Sequence, residues 1–222
     1  MLAARRFTLR LHTDRLAPKS EARLPGRHRV VYVRDGDVLL RCAGSAAGLS
    51  TNSAWLGRDE IAVASGSNGA TLLRWELIAD GDERGEIDAA GATSSLALAC
   101  AIELGEPGGH LMRCDRVDFP LGGIAYTHVH RGPGIRSLLS GAIRVEVNGK
   151  GLDISPGQAW FEAGPDPVLA LASETELTAF VRVMILPREL KGRSSIRYVR
   201  PEDADKPKLQ IYRIFADEPI DL

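Results

Sequence analysis

Gly122-Gly-Ile-Ala-Tyr126-Thr-His128-Val-His130-Arg131-Gly-Pro-Gly134-Ile-Arg136-Ser-Leu-Leu-Ser-Gly141 reads as two short strands joined by a tight turn. The turn is Arg131-Gly-Pro-Gly134, where proline fixes one φ and the glycines let the backbone approach closely. No helix signal follows it, so it lacks the helix N-terminus that a phosphate loop needs. Residues two apart on a strand share a face, so Tyr126, His128 and His130 are expected to project together. Two neutral imidazoles converging in this way suit Zn, Fe, Cu and Ni, and the expected cofactor is a divalent Fe, Zn, Mn or Ni. The same alternation puts Arg136 on the side of position 134.

Working outward, short Val-, Ile-, Leu- and Thr-rich runs recur between turns, and 23 Gly and 12 Pro punctuate the chain. Strands are predicted over 29–34, 37–41, 71–77, 143–147, 159–162 and 177–185. Residues 89–104 are the most helix-permissive stretch, weakened by Gly91 and by Thr93-Ser94-Ser95. Arg29-Val-Val-Tyr-Val-Arg-Asp-Gly36 lies over Gly134-Ile-Arg-Ser-Leu-Leu-Ser-Gly141, each followed by a second strand. Leu72-Leu-Arg74 likewise lies over Phe180-Val-Arg182, at an offset near one hundred residues. The ordered matches suggest two copies of one barrel unit. The expected division is a first barrel over 1–90, a second over 91–187 and an extended tail over 188–222. The acidic stretch 80–86 would be the connector.

Composition narrows the function classes. Against 28 Lys+Arg stand 29 Asp+Glu, a formal charge of -1, so neither nucleic acid nor a membrane surface is an expected partner. No apolar run approaches the ~20 residues that span a bilayer, and the N-terminal residues have no secretory apolar core. Cys42, Cys100 and Cys114 are odd in number and far apart, which fits free thiols in a reducing cytoplasm. The sequence has no GxSxG, P-loop or GxGxxG pattern.

The opening stretch resembles the first motif of the cupin superfamily: Gly122, five residues, His128-Val-His130, three residues, Gly134, six residues, Gly141. Pro156-Gly157-Gln158 and Glu162-Ala163-Gly164 follow the outline of the second motif. The resemblance implies an all-β fold of two cupin-like barrels, a bicupin of the double-stranded β-helix or jelly-roll type. It also implies a divalent transition metal and a small-molecule ligand, with dioxygenase-type oxidoreduction as the chemistry if the protein is an enzyme. Two family ligands are missing, because Gly134 stands at the Glu position and Pro167 or Val168 at the third His position. Arg23 and Pro25 replace the His pair in the first half, so that lobe is expected to be structural.

Glu162 could complete a two-His-one-carboxylate centre with His128 and His130; alternatively it is exposed at the rim or pairs with Arg136. Arg136 could instead hold the carboxylate of a small organic acid. Tyr126 and Trp160 would line the same cavity, although core packing is the ordinary role of a tryptophan here. His110 reads as a surface turn residue, and His12 and His28 as structural or solvated. The competing function is a ligand-binding or sensory cupin without metal. A homodimer is expected, because 209–215 alternates like a strand seeking a sheet.

Overall fold

The computed structural model describes residues 5–79, 85, 87, 89–105 and 109–222; apart from Gly85, the 80–86 connector lies outside them. The chain divides into two compact units, Met1–Gly105 and Glu106–Leu222. Among the described residues the regular structure is antiparallel strand, and helix is confined to two 3-10 turns, Arg188–Leu190 and Pro201–Asp203.

The first unit runs β1 (Arg5–Leu16), β2 (Glu21–Leu24), β3 (His28–Cys42), β4 (Ser45–Ser50), β5 (Ser53–Gly57), β6 (Ile61–Ala79) and β7 (Ala92–Leu104). These make one sheet ordered β4-β3-β6-β1-β7, with β2 on β6 and β5 on β3. The helix-permissive stretch is therefore strand: β7 pairs with β1 over nearly its whole length, from Leu104 opposite Arg5 to Ala92 opposite Leu16. That pairing places the boundary after Gly105, later than the composition suggests. β3 and β6 are long because each turns a corner and continues. The corner has register shifts between Val33 and Asp35 and between Gly36 and Val38. Gly36 sits there at φ 85°, and a Cβ on it would stand 2.2 Å from the Gly69 carbonyl oxygen. Only glycine meets both demands. Gly36→Ala should cost about 2 kcal/mol or more in urea unfolding, with circular dichroism as the readout.

The second unit runs β8 (His110–Phe119), β9 (Ile124–His130), β10 (Gly134–Ser140), β11 (Ile143–Val147), β12 (Lys150–Ile154), β13 (Ala159–Glu162), β14 (Val168–Ala172), β15 (Thr178–Pro187), β16 (Ile196–Tyr198) and β17 (Ile211–Ile220). One five-stranded sheet is ordered β13-β10-β15-β8-β17, the other β12-β11-β14-β9-β16. The segment after Pro187 thus supplies an edge strand to each sheet, and the strand read at 209–215 finds its partner, β8, in its own chain. An apolar cluster including Phe119, Leu138, Val145, Trp160, Val168 and Phe180 fills part of the interior. The first unit has its own cluster around Val31, Val33, Leu40, Ile61 and Leu72. His110, expected on a surface turn, is buried at 8% exposure because it starts β8 between Pro187 and Ile220.

Candidate functional site

The sequence brings His128 and His130 onto one face of β9, and both are buried. Their Nε2 atoms lie 3.2 Å apart and their rings meet edge to face. His128 Nδ1 is 2.7 Å from the Tyr126 carbonyl, which can only accept. Nδ1 therefore carries the hydrogen, and Nε2 of the neutral ring is a bare donor of electrons. Burial lowers the pKa of His128, and lowers that of His130 to about 3, so both rings are neutral near pH 7. His130 Nδ1 faces the Ser195 hydroxyl at 3.4 Å.

Glu162 reaches the pair from β13, and its Oε2 is 3.3 Å from His130 Nε2. The same oxygen is 2.7 Å from Arg136 Nη2. This is a close ion-pair contact and not an aligned hydrogen bond, since neither Oε2 nor Nη2 has a well-directed partner. Trp160 Nε1 donates to Glu162 Oε1 at 2.9 Å. Burial alone would raise the Glu162 pKa; Arg136, His130 and Trp160 outweigh it and hold the carboxyl below the usual range. Arg136 Nη1 donates to the Gly134 carbonyl at 2.6 Å, and burial pulls the guanidinium down to about 10. Register explains the meeting: Gly134 stands opposite Glu162, and Arg136 opposite Trp160.

Two expected lining residues behave differently. Trp160 belongs to the apolar cluster and stacks edge-on against Phe180, at 5.2 Å between centroids. Its contribution to the site is the hydrogen bond that orients Glu162. Tyr126 does not share the face of His128. Val168 pairs with His128 but Ala170 pairs with Ala125, so β9 carries one extra residue between them and the alternation slips. The Tyr126 ring is only half-buried, with the Lys206 ammonium 4.6 Å above it. Val168, at the lost third-His position, stands directly opposite His128.

Sequence reasoning missed three further participants. Arg182 stands opposite Arg136, and its charge is balanced by Asp115, with Nε to Oδ1 at 2.6 Å and Nη2 to Oδ2 at 3.2 Å. Tyr198, on β16, presents its ring edge to His128 at 6.5 Å between centroids. Ser195 precedes it. An Arg flanked by apolar residues in mid-strand was the available signal for Arg182; Ser195 and Tyr198 lie too far along the chain to be tied to His130 by spacing.

Among the described residues no group of three or more His, Cys, Asp or Glu side chains is arranged so that it could hold a metal ion as it stands. What the site offers is a bare His128 Nε2, the His130 Nε2 beside it and a Glu162 Oε2 lacking an aligned hydrogen bond. Two nitrogens 3.2 Å apart can both lie about 2.0–2.2 Å from one ion. Each ring's other nitrogen is held by an oxygen, as metal-bound imidazoles usually are. The two imidazoles are of the kind that suits a divalent transition metal, and Glu162 would have to turn from Arg136 to join them.

No family model matches the sequence, and no curated protein matches it. Solved structures do. AerE from Microcystis aeruginosa is similar at 13% identity and TM-score 0.57, over 81% of this chain and 87% of that one. Salicylate 1,2-dioxygenase from Pseudaminobacter salicylatoxidans is similar at 12% identity and TM-score 0.56, over 86% of this chain and 74% of that one. A deletion mutant of Bacillus subtilis oxalate decarboxylase OxdC is similar at 10% identity and TM-score 0.62, over 89% and 73%. At such identities the likeness fixes the fold, and the fold is that of the cupin β-barrel proteins. No helix among the described residues is long and apolar enough to cross a membrane.

Proposed function

We propose that the second unit is a metal-dependent cupin barrel acting on a small organic acid, with His128, His130 and Glu162 as the metal donors. The observation that carries this reading is the His128–His130 pair: 3.2 Å between Nε2 atoms, buried, neutral, each ring held from behind. Without an ion, a hydrogen on His130 Nε2 points to His128 Nε2; for both nitrogens to bind a divalent ion, that hydrogen would move to His130 Nδ1, which faces Ser195. Such an ion supplies a Lewis-acidic centre with positions open to a ligand, as dioxygenase chemistry requires. Arg136 is the group to receive the ligand's carboxylate, since its fork is buried beside the donors and suits a planar anion. Trp160 keeps Glu162 turned toward His130. A variant of the salicylate dioxygenase similar to this chain was solved in complex with gentisate, a small organic acid, which supports the ligand class.

Metal content tests the proposal. Untagged protein grown with Fe, Zn, Mn and Ni should carry near-stoichiometric metal by mass spectrometry. The His128→Ala/His130→Ala variant should retain under about a tenth of it with an unchanged circular dichroism spectrum. Metal-free wild type, or metal kept by the double variant, would overturn it.

The Arg136–Glu162 contact favours a second reading, a ligand-binding barrel without metal, because the carboxylate's charge is already neutralised. In that case small aromatic acids should raise the melting temperature of chelator-treated protein as much as that of untreated protein.

A further inference from the structure

Both imidazoles are closed off by the same short segment. β16 lies at the edge of its sheet and pairs with β9 at three positions: Ile196 with His130, Arg197 with Val129 and Tyr198 with His128. Two flanking hydrogen bonds extend the pairing, Arg131 N to Ser195 O at 3.1 Å and Val199 N to Thr127 O at 3.0 Å. Ser195 Oγ and the Tyr198 ring then close over His130 and His128.

The hold of this segment on the barrel is weak by composition. Between Lys191 and Gln210 only Ser195 and Asp203 are buried, and both are polar. No buried apolar side chain fastens it, whereas burying one such group is worth about 1.5–3 kcal/mol. Its two ends are firm. On one side Leu190 joins the cluster of Leu111, Met184 and Leu186, and Arg113 donates to the carbonyls of Leu190 and Arg193 at 2.7 and 2.8 Å. On the other side β17 runs along β8 from Ile211 to Ile220. Gly192, at φ 70°, and Pro201 bracket the strand. A segment anchored at both ends, and held between them by edge-strand pairing and polar contacts such as Gln210 Nε2 to the Ile124 carbonyl at 2.5 Å, opens locally without unfolding the barrel.

We propose that β16 is the gate of the His128–His130 site, lifting from β9 as a unit to admit ligand and closing with Ser195 behind His130 and Tyr198 beside His128. The inference rests on this pair being where ligand binds. Its test uses no metal, so it stands or fails apart from the metal assignment.

The test locks the gate. Val129 and Arg197 are directly opposite and alternate with the site residues, so they face away from the imidazoles. Opposed Cα atoms there are about 5.5 Å apart, within disulfide reach. V129C/R197C is made with Cys42 and Cys100 changed to Ser, and its histidines are carbethoxylated with diethyl pyrocarbonate and read by peptide mass spectrometry. His28, half-buried in the first unit, serves as internal reference. In the oxidised protein His128 and His130 should react at least roughly tenfold more slowly relative to His28, and dithiothreitol should restore the rate. Equal rates in both states overturn the gate, and so does a reduced protein in which neither histidine reacts. Hydrogen exchange on wild type needs no variant. The Arg131 and Val199 amides should exchange roughly a hundredfold faster than that of Ile185, which bonds to the Pro133 carbonyl at 2.9 Å on the β15 side. Equal protection overturns the proposal.

Discussion

Arg74→Met should destabilise the first unit by about 3–5 kcal/mol, the largest single effect expected outside the backbone. Arg74 is 1% exposed and holds two carboxylates in the core. Its Nε and Nη2 meet Asp14 at 2.6 and 3.1 Å, and its Nη1 meets Glu76 at 2.9 Å. Nη2 also donates to the Gly85 carbonyl at 2.7 Å. Glu76 keeps Arg29, at 2.9 Å, when Arg74 is removed. Among the described residues Asp14 is then left with the Ser94 hydroxyl at 2.5 Å, too little to compensate for burying its charge. Methionine fills similar volume, so the loss reads charge and not cavity. Adding Asp14→Leu should recover a large part of it, because an apolar pair often equals a buried ion pair. Urea unfolding of the two single variants and the double variant measures the coupling. A loss under about 1 kcal/mol in Arg74→Met would show that water reaches Asp14.

The strand–glycine–strand repeat was readable because it rests on backbone geometry. Gly36 and Gly141, matched in the alignment of the two halves, both sit at positive φ, 85° and 71°. The matched Arg74 and Arg182 are also both buried and both bound to an aspartate of a neighbouring strand, Asp14 and Asp115. The pairing with Asp could not be read, since register sets it: Arg182 is directly opposite Asp115, while Arg74 is opposite His12 and reaches Asp14 on the diagonal.

Other features left no mark in the sequence. β7 is built from Ala, Ser and Leu with few β-branched residues, and its small side chains read as permissive of helix until β1 pairs with it. Tyr126 followed the two-residue rule on paper, but a one-residue bulge has no composition and moved it off the His face. The Glu162–Arg136 contact is one of the three readings that the sequence leaves for Glu162, because strand parity turns Arg136 inward and a buried guanidinium needs a partner. Ser195 lies 65 residues beyond His130, in a segment with no apolar periodicity.

Acidification should weaken the first unit between about pH 6.5 and 4. His12 is 2% exposed, and among the described residues neither ring nitrogen has a hydrogen-bond partner. Burial, and then the Arg74 charge, lower its pKa from 6.5 to about 4, with Asp14 and Glu76 opposing and Arg10 adding to the effect. The unfolded chain takes up a proton at pH 6.5; the folded unit resists until pH 4. Stability is therefore full above 6.5, falls across that window and levels below it. A shift of this size corresponds to about 3 kcal/mol. Glu76 acts in the same direction at lower pH, since its carboxyl is held below 4.5 and loses stability only below that value. The window from 4.5 to 6.5 therefore belongs to histidine. Trp160→Phe leaves Trp55 and Trp75 as the remaining tryptophans, both in the first unit, so fluorescence in urea at pH 7, 5.5 and 4.5 follows that unit alone. In that background His12→Leu should flatten the pH dependence. At pH 7 it should cost little, because among the described residues the two buried nitrogens of the ring it removes have no hydrogen bond to lose. An unchanged slope in His12→Leu would mean that the proton goes elsewhere in the unit.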